Sequence, residues 1–171
     1  MSTGDKVIDA TVGNGHDTIK LAQLVGPTGH VYGFDIQQSA IEETQQKLLL
    51  TGLTEQVTLF QQGHETIHTS VDEKSIQAVI FNLGYLPKSD KSIITLPETT
   101  LAAIEQSLNI LTPGGIITIM VYYGHAGGED EKNAVEHYLE TLSQDSYAIL
   151  KYGFINQVNT PPFLIAIEKK K

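Results

Sequence analysis

A chain of 171 residues with 40% hydrophobic content has room for one compact domain with a sizeable core, and a single domain over 1–171 is expected. The absence of cysteine excludes disulfides, thiolate catalysis and cysteine zinc sites, and a formal charge of −9, with 11 lysines and no arginine, argues against a broad grip on nucleic-acid phosphates. No run of about 18 apolar residues is available to span a membrane, and no basic stretch followed by an apolar one opens the chain, so a cytoplasmic protein without a membrane partner is expected.

Strand-like and helix-like segments alternate in the manner of a doubly wound α/β sheet. Lys6 to Ala10 reads as a buried strand that breaks into Thr11-Val12-Gly13-Asn14-Gly15, and His16 to Val25 as a helix with Ile19, Leu21, Ala22 and Leu24 near one face, stopped by Gly26-Pro27. His30 to Phe34 is a second strand ending on Asp35. Gln37 to Thr51 is a polar helix with Ile41, Leu48 and Leu49 inward and Gly52 as its stop. Val57 to Phe60 and the continuous apolar run Ile76 to Phe81 are the third and fourth strands. A helix from Leu96 to Leu111, a turn at Thr112-Pro113-Gly114-Gly115 and a β-branched fifth strand from Ile116 to Val121 follow. Glu129 to Leu142 is an acidic-faced helix. Ala148 to Ile155 and Phe163 to Ile167 have no helix between them, so they should pair antiparallel.

The strand-to-helix turn at Gly13-Asn14-Gly15 reads as a nucleotide-cofactor cradle. Glycines permit close backbone approach, and the following helix presents its first N–H groups to a ligand. A dinucleotide fingerprint G-x-G-x-x-G would need a third glycine where Thr18 stands, and Asp9 at the strand end would repel a pyrophosphate. Both features favour S-adenosylmethionine, whose methionine end carries an ammonium group, over a nicotinamide dinucleotide. The alternative is a tight turn with no ligand.

Asp9 to Thr18, together with Asn82-Leu83-Gly84-Tyr85-Leu86-Pro87 and Asp90-Lys91, closely resembles a bacterial family of class I methyltransferases labelled rRNA methylase, and the resemblance covers essentially the whole chain. It implies a Rossmann-like, seven-stranded, mostly parallel sheet with a C-terminal antiparallel hairpin and helices on both faces. It also implies S-adenosylmethionine as cofactor, methylation of the aminomethyl group of 5-aminomethyl-2-thiouridine at the tRNA wobble position, and no metal. Family members usually carry a short helical lead-in before the first strand, whereas this chain starts almost on that strand, so part of the cofactor cover is expected to be missing. Gln62-Gly63 stands where many methyltransferases have an acidic residue near the adenine.

Asp35 is placed to accept both ribose hydroxyls, with a helix cap as its alternative role. Asn14, Gly15, His16 and Asp17 are expected around the methionine portion, with Gly13 and Thr18 also at the cofactor and Asp9 or Asp17 favouring its ammonium group; Asp17 is equally suited to the positive end of the first helix. Ile36 is expected at the cofactor site as well. His64 and Glu65 follow the third strand, where class I enzymes contact adenine, and a solvated loop histidine is the alternative for His64. Asn82-Leu83-Gly84-Tyr85 resembles the Asn/Asp-Pro-Pro-Tyr motif of amino-methylating enzymes. There the Asn82 carbonyl accepts amine hydrogens and aims the lone pair, while Tyr85 packs on the target base; an ordinary apolar turn is the alternative. Leu83, Gly84, Leu86, Pro87, Lys88, Lys91, Tyr122 and Tyr123 should line the substrate mouth. An aminomethyl group is largely protonated at neutral pH, which makes His125 and Asp90 candidates for the base. His68, His137 and the Lys169-Lys170-Lys171 tail read as surface. The anticodon loop of tRNA is the expected partner, with a homodimer as a possible assembly. The competing functions are an rRNA or small-amine methyltransferase, an NAD-dependent oxidoreductase and a non-catalytic nucleotide-binding module.

Overall fold

The computed structural model describes residues 1–71, 75–84 and 95–171. Seven strands form one sheet in the order β3-β2-β1-β4-β5-β7-β6. They are β1 (Lys6–Asp9), β2 (His30–Phe34), β3 (Val57–Phe60), β4 (Ile76–Leu83), β5 (Leu111–Val121), β6 (Tyr147–Tyr152) and β7 (Phe163–Lys169). The first five run parallel, and β7 pairs antiparallel with both β5 and β6. The chain reverses its winding direction between β1 and β4, the place where open α/β sheets open a crevice at the carboxyl ends of their strands.

Alternation along β1 distributes the core. Val7 and Val31 turn to one face, against Leu21, Ala22 and Val25 of α1 (His16–Val25). Ile8 and Phe34 turn to the other, joining Ala103, Ile104 and Leu108 of α4 (Pro97–Ile110) and Val135 and Leu139 of α5 (Gly128–Glu140). The second helix α2 (Gln38–Thr51) packs beside α1, and the short α3 (Ile67–Ser70) beside α4. On β5, Ile117, Ile119 and Val121 are buried, whereas Ile116 on the opposite face is exposed.

Several boundaries move from the sequence expectation. Beta-strand β4 continues through Asn82 to Leu83 because β5 runs beside it to Val121, so the neighbour's hydrogen bonds carry a polar residue inside the strand. The predicted turn at Thr112 to Gly115 is instead an irregular start of β5, with a register shift opposite Ile76 and Ala78. Leu24 and Leu49 point outward, at 45% and 74% exposure; Thr18 and Val25 take the inward positions on α1, and Thr44 and Leu48 those on α2. The last hairpin is Tyr147–Tyr152 against Phe163–Lys169, so Gly153 to Ile155, expected in the strand, are connection. No helix among the described residues is long and apolar enough to cross a membrane.

Candidate functional site

The segments following β1 to β5 converge on one cavity of about 840 Å³ at the carboxyl edge of the sheet, with Thr160 of the β6–β7 connection closing its side. Gly13 and Gly15 both adopt positive φ, 52° and 74°, which lets the chain leave β1, fold back and enter α1 with Gly15 as its N-cap. The Gly13 amide donates to Asp35 Oδ2 at 2.8 Å, and the Gln37 amide to Oδ1 at 2.9 Å, so the carboxylate at the end of β2 anchors the glycine turn. Asp35 is not the helix cap; Gln37 holds that position on α2. A carboxylate has about four lone-pair sites, so two remain for a ligand.

Asp9 and Thr18 sit beneath the cavity wall. Both are fully buried, and the Thr18 hydroxyl donates to Asp9 Oδ2 at 2.6 Å while the Thr11 amide donates to Oδ1 at 3.1 Å. Burial pushes the Asp9 carboxyl up to about 7, with Asp17 and Asp35 adding repulsion and the two hydrogen bonds opposing it. Of the two carboxylates expected for an ammonium group, only Asp17 therefore reaches the cavity. Gly15 also lies behind the wall, packed so tightly that a Cβ there would overlap the Thr44 side chain.

Asp17, in the first turn of α1, accepts from Asn82 Nδ2 at 3.0 Å. The Asn82 amide N–H donates to Thr11 Oγ1 at 2.7 Å, so the ends of β1 and β4 are tied together beside the cavity. His64 is buried, with Nδ1 within 3.1 Å of the Ala10 carbonyl and its ring edge-on to Phe81. A carbonyl only accepts, so Nδ1 carries the hydrogen. Burial holds the imidazole below its ordinary pKa and hence neutral, leaving Nε2 as an acceptor. The solvated-loop alternative for His64 is thereby excluded. His68 and His137 are exposed, as expected. Two of the terminal lysines are not loose: Lys169 donates to the Leu108 carbonyl and Lys170 to that of Gln144.

Of the predicted residues, Gly13, Asn14, His16, Asp17, Asp35, Ile36, His64, Glu65, Asn82, Leu83, Gly84, Tyr122, Tyr123 and His125 share this cavity. Tyr122 is 46% exposed, whereas Tyr123 is half-buried, edge-on to Phe163 and under the Lys132 ammonium at 4.9 Å. Tyr85, Leu86, Pro87, Lys88, Asp90 and Lys91 lie outside the described residues. Sequence reasoning missed Thr11, Thr95 and Thr99, whose positions depend on which strand ends meet, and Lys47, which donates to the Asn14 carbonyl at 2.6 Å. Lys47 also pairs with Glu43, four residues before it on the same helix. Among the described residues, no three His, Asp or Glu side chains gather as a metal site.

The described wall contains Asp17, Asp35 and Glu65 and no lysine. It suits a ligand with cationic groups and would oppose a pyrophosphate.

A family model described as "Putative rRNA methylase" matches residues 31–168. A chloroplastic tRNA (mnm(5)s(2)U34)-methyltransferase from Arabidopsis thaliana is 40% identical over 179 residues, covering 99% of this chain and 65% of the relative. The chain thus spans just under two thirds of that relative's length. The crystal structure of a "putative rRNA-methylase" from Clostridium thermocellum superposes with a TM-score of 0.96 at 47% identity, covering 99% of this chain and 90% of the other. A methyltransferase structure from Streptococcus mutans, in complex with SAH, gives 0.90 at 44% identity with the same two coverages.

Proposed function

Because this chain belongs to the family described as "Putative rRNA methylase" and has the class I methyltransferase fold, we propose that it is an S-adenosylmethionine-dependent N-methyltransferase acting on the aminomethyl group of 5-aminomethyl-(2-thio)uridine at the tRNA wobble position. The name of the Arabidopsis relative and the SAH complex of the Streptococcus neighbour support the substrate and the cofactor. The cavity's chemistry fits that cofactor. Asp35 retains two acceptor sites for vicinal hydroxyls, Asp17 faces the cavity where an ammonium group would find opposite charge, and neutral His64 offers Nε2 to an exocyclic amine.

The observation that carries the reaction type is the Asn82 side chain. Its Nδ2 is committed to the Asp17 carboxylate, which can only accept, so the amide is oriented and Oδ1 is the acceptor left at the cavity wall. An amine whose N–H hydrogen is accepted there has its lone pair directed away from Asn82. When bound, S-adenosylmethionine supplies a methyl group activated by its sulfonium charge and open to in-line displacement. Asn82, Asp17 and Thr11 contribute orientation, and alignment of this kind is worth up to roughly 7–11 kcal/mol in favourable model systems. Half-exposed Tyr122 supplies a face for a splayed base. His125, at the same wall, is the described candidate to take the proton from the ammonium form.

The test is an anticodon stem-loop carrying the aminomethyl-uridine, incubated with enzyme and S-adenosylmethionine and digested for mass spectrometry. A methyl group on the aminomethyl nitrogen is expected. Methylation at carbon or ribose oxygen, or modification of rRNA alone, overturns the assignment. Asn82→Ala should lose turnover and keep cofactor affinity; parallel loss of both would remove Asn82 from the orienting role.

A further inference from the structure

Glu131 lies in the first turn of α5 and is 1% exposed. Its Oε2 accepts from Thr95 Oγ1 at 2.7 Å and its Oε1 from Thr100 Oγ1 at 2.6 Å. The N-terminal turn of α5 adds a favourable field for the negative charge. Thr95 extends the chain of bonds to the catalytic edge: the Gly84 amide donates to Thr95 Oγ1 at 2.9 Å, and the Thr95 amide donates back to the Gly84 carbonyl at 3.0 Å. Gly84 directly follows Leu83, whose carbonyl accepts from the Tyr122 amide at 3.1 Å, and stands two residues beyond Asn82. Its φ of 140° favours glycine, and an added Cβ would stand 3.2 Å from Tyr122 Cβ, a tight contact.

We propose that Glu131 is a positioning residue for methyl transfer: through Thr95 it clamps Gly84 and so fixes the Asn82 end of β4 and the Tyr122 rim against each other. This inference rests on the N-methyltransferase reading above. A buried carboxylate is a costly way to gain stability alone, since an apolar isostere is often as good or better. What the carboxylate adds is direction. Because it only accepts, the Thr95 hydroxyl must donate to it, which leaves the Thr95 lone pairs to receive the Gly84 amide. Thr100 holds the second carboxylate oxygen and keeps the group from swinging. Gly84 and Thr95 are therefore held together at one fixed point beside Asn82.

Thr95→Val, Thr95→Ser and Glu131→Gln separate this role from simple support. Measured well below each variant's melting temperature, Thr95→Val and Glu131→Gln should lower kcat/KM for the aminomethyl stem-loop by roughly tenfold or more, with cofactor Kd changed less than about twofold. Thr95→Ser, which keeps the hydroxyl, should restore activity. Hydrogen exchange of the Gly84 amide should be slow in wild type and Thr95→Ser and fast in Thr95→Val. Wild-type kcat/KM in Thr95→Val, equal damage from serine and valine, or a parallel loss of cofactor affinity overturns the proposal. If the wild-type protein methylates no aminomethyl stem-loop, the function assignment fails, whereas unchanged Gly84 exchange in Thr95→Val refutes the clamp itself.

Discussion

Asp35 braces the glycine turn through the Gly13 amide and faces the cavity, where the proposed function would have it accept the ribose hydroxyls as well. Asp35→Ala removes a charged acceptor from both, at a cost of about 1.5–3 kcal/mol, or roughly 10- to 150-fold in affinity for S-adenosylmethionine by titration calorimetry. Wild-type affinity would remove Asp35 from the site. Asp9 makes a different prediction, because its buried carboxyl titrates near 7 rather than at the ordinary 3.8. The folded state therefore holds the proton more tightly than the unfolded chain, so this residue's contribution to stability is greatest below about pH 4, declines as pH rises towards 7 and is level above that. Asp9→Asn can accept from the Thr11 amide and donate to the Thr18 hydroxyl, which removes the charge without orphaning either neighbour. Thermal unfolding from pH 4 to pH 8 should show a shallower decline in the variant, the difference reaching on the order of 2–4 kcal/mol at pH 8; an unchanged slope refutes the account. Asp35 was legible from its place at the end of β2. The burial of Asp9 was not, because it depends on Thr18 folding back over it from α1.

At the level of elements, the first turn, α1 and α2 are locked by an absent side chain. Gly15 caps α1 at φ 74° and lies against Thr44 on α2, so Gly15→Ala meets both a left-handed backbone and a methyl-sized overlap. Chemical denaturation should show a loss of roughly 1–3 kcal/mol, and Thr44→Ala in the same chain should recover the overlap part. If the loss is identical in both backgrounds, contact with Thr44 is not its cause. Elements with a strong local signal were readable: α1, β2 and β3 have the predicted boundaries, since glycine stops and apolar periodicity act within a few residues. Features set by neighbours were not, as the extension of β4 through Asn82 and the irregular Gly114-Gly115 start of β5 demonstrate. The same reasoning explains why the place of Asn82 beside the cavity was legible while the Glu131–Thr95–Gly84 chain was not. The first is a local motif, whereas the second joins residues 84, 95 and 131.

For the whole molecule, the charge of −9 sets the terms on which the proposed RNA substrate would be met. Lys47, Lys132 and Lys151 are already paired with Glu43, Glu129 and Glu136. With net negative charge opposing phosphate outside a small patch, stem-loop binding between 50 and 200 mM salt should give a log–log slope shallower than about −3. A slope of −6 or steeper in fluorescence anisotropy would contradict recognition through a small patch, and Lys91→Ala should weaken RNA more than cofactor. The sheet order carries a consequence of another kind. Strand β7 lies between β5 and β6, and among the described strands β6 pairs only with β7, although β6 comes first along the chain. On a ribosome, β6 emerges before β7, its pairing partner among the described strands, and its backbone N–H and C=O groups stay bound to water until residues 163–169 follow. Nascent chains stalled ahead of β7 should therefore leave the outer edge of the sheet open to protease and to chaperones, even where β1 to β5 have already formed.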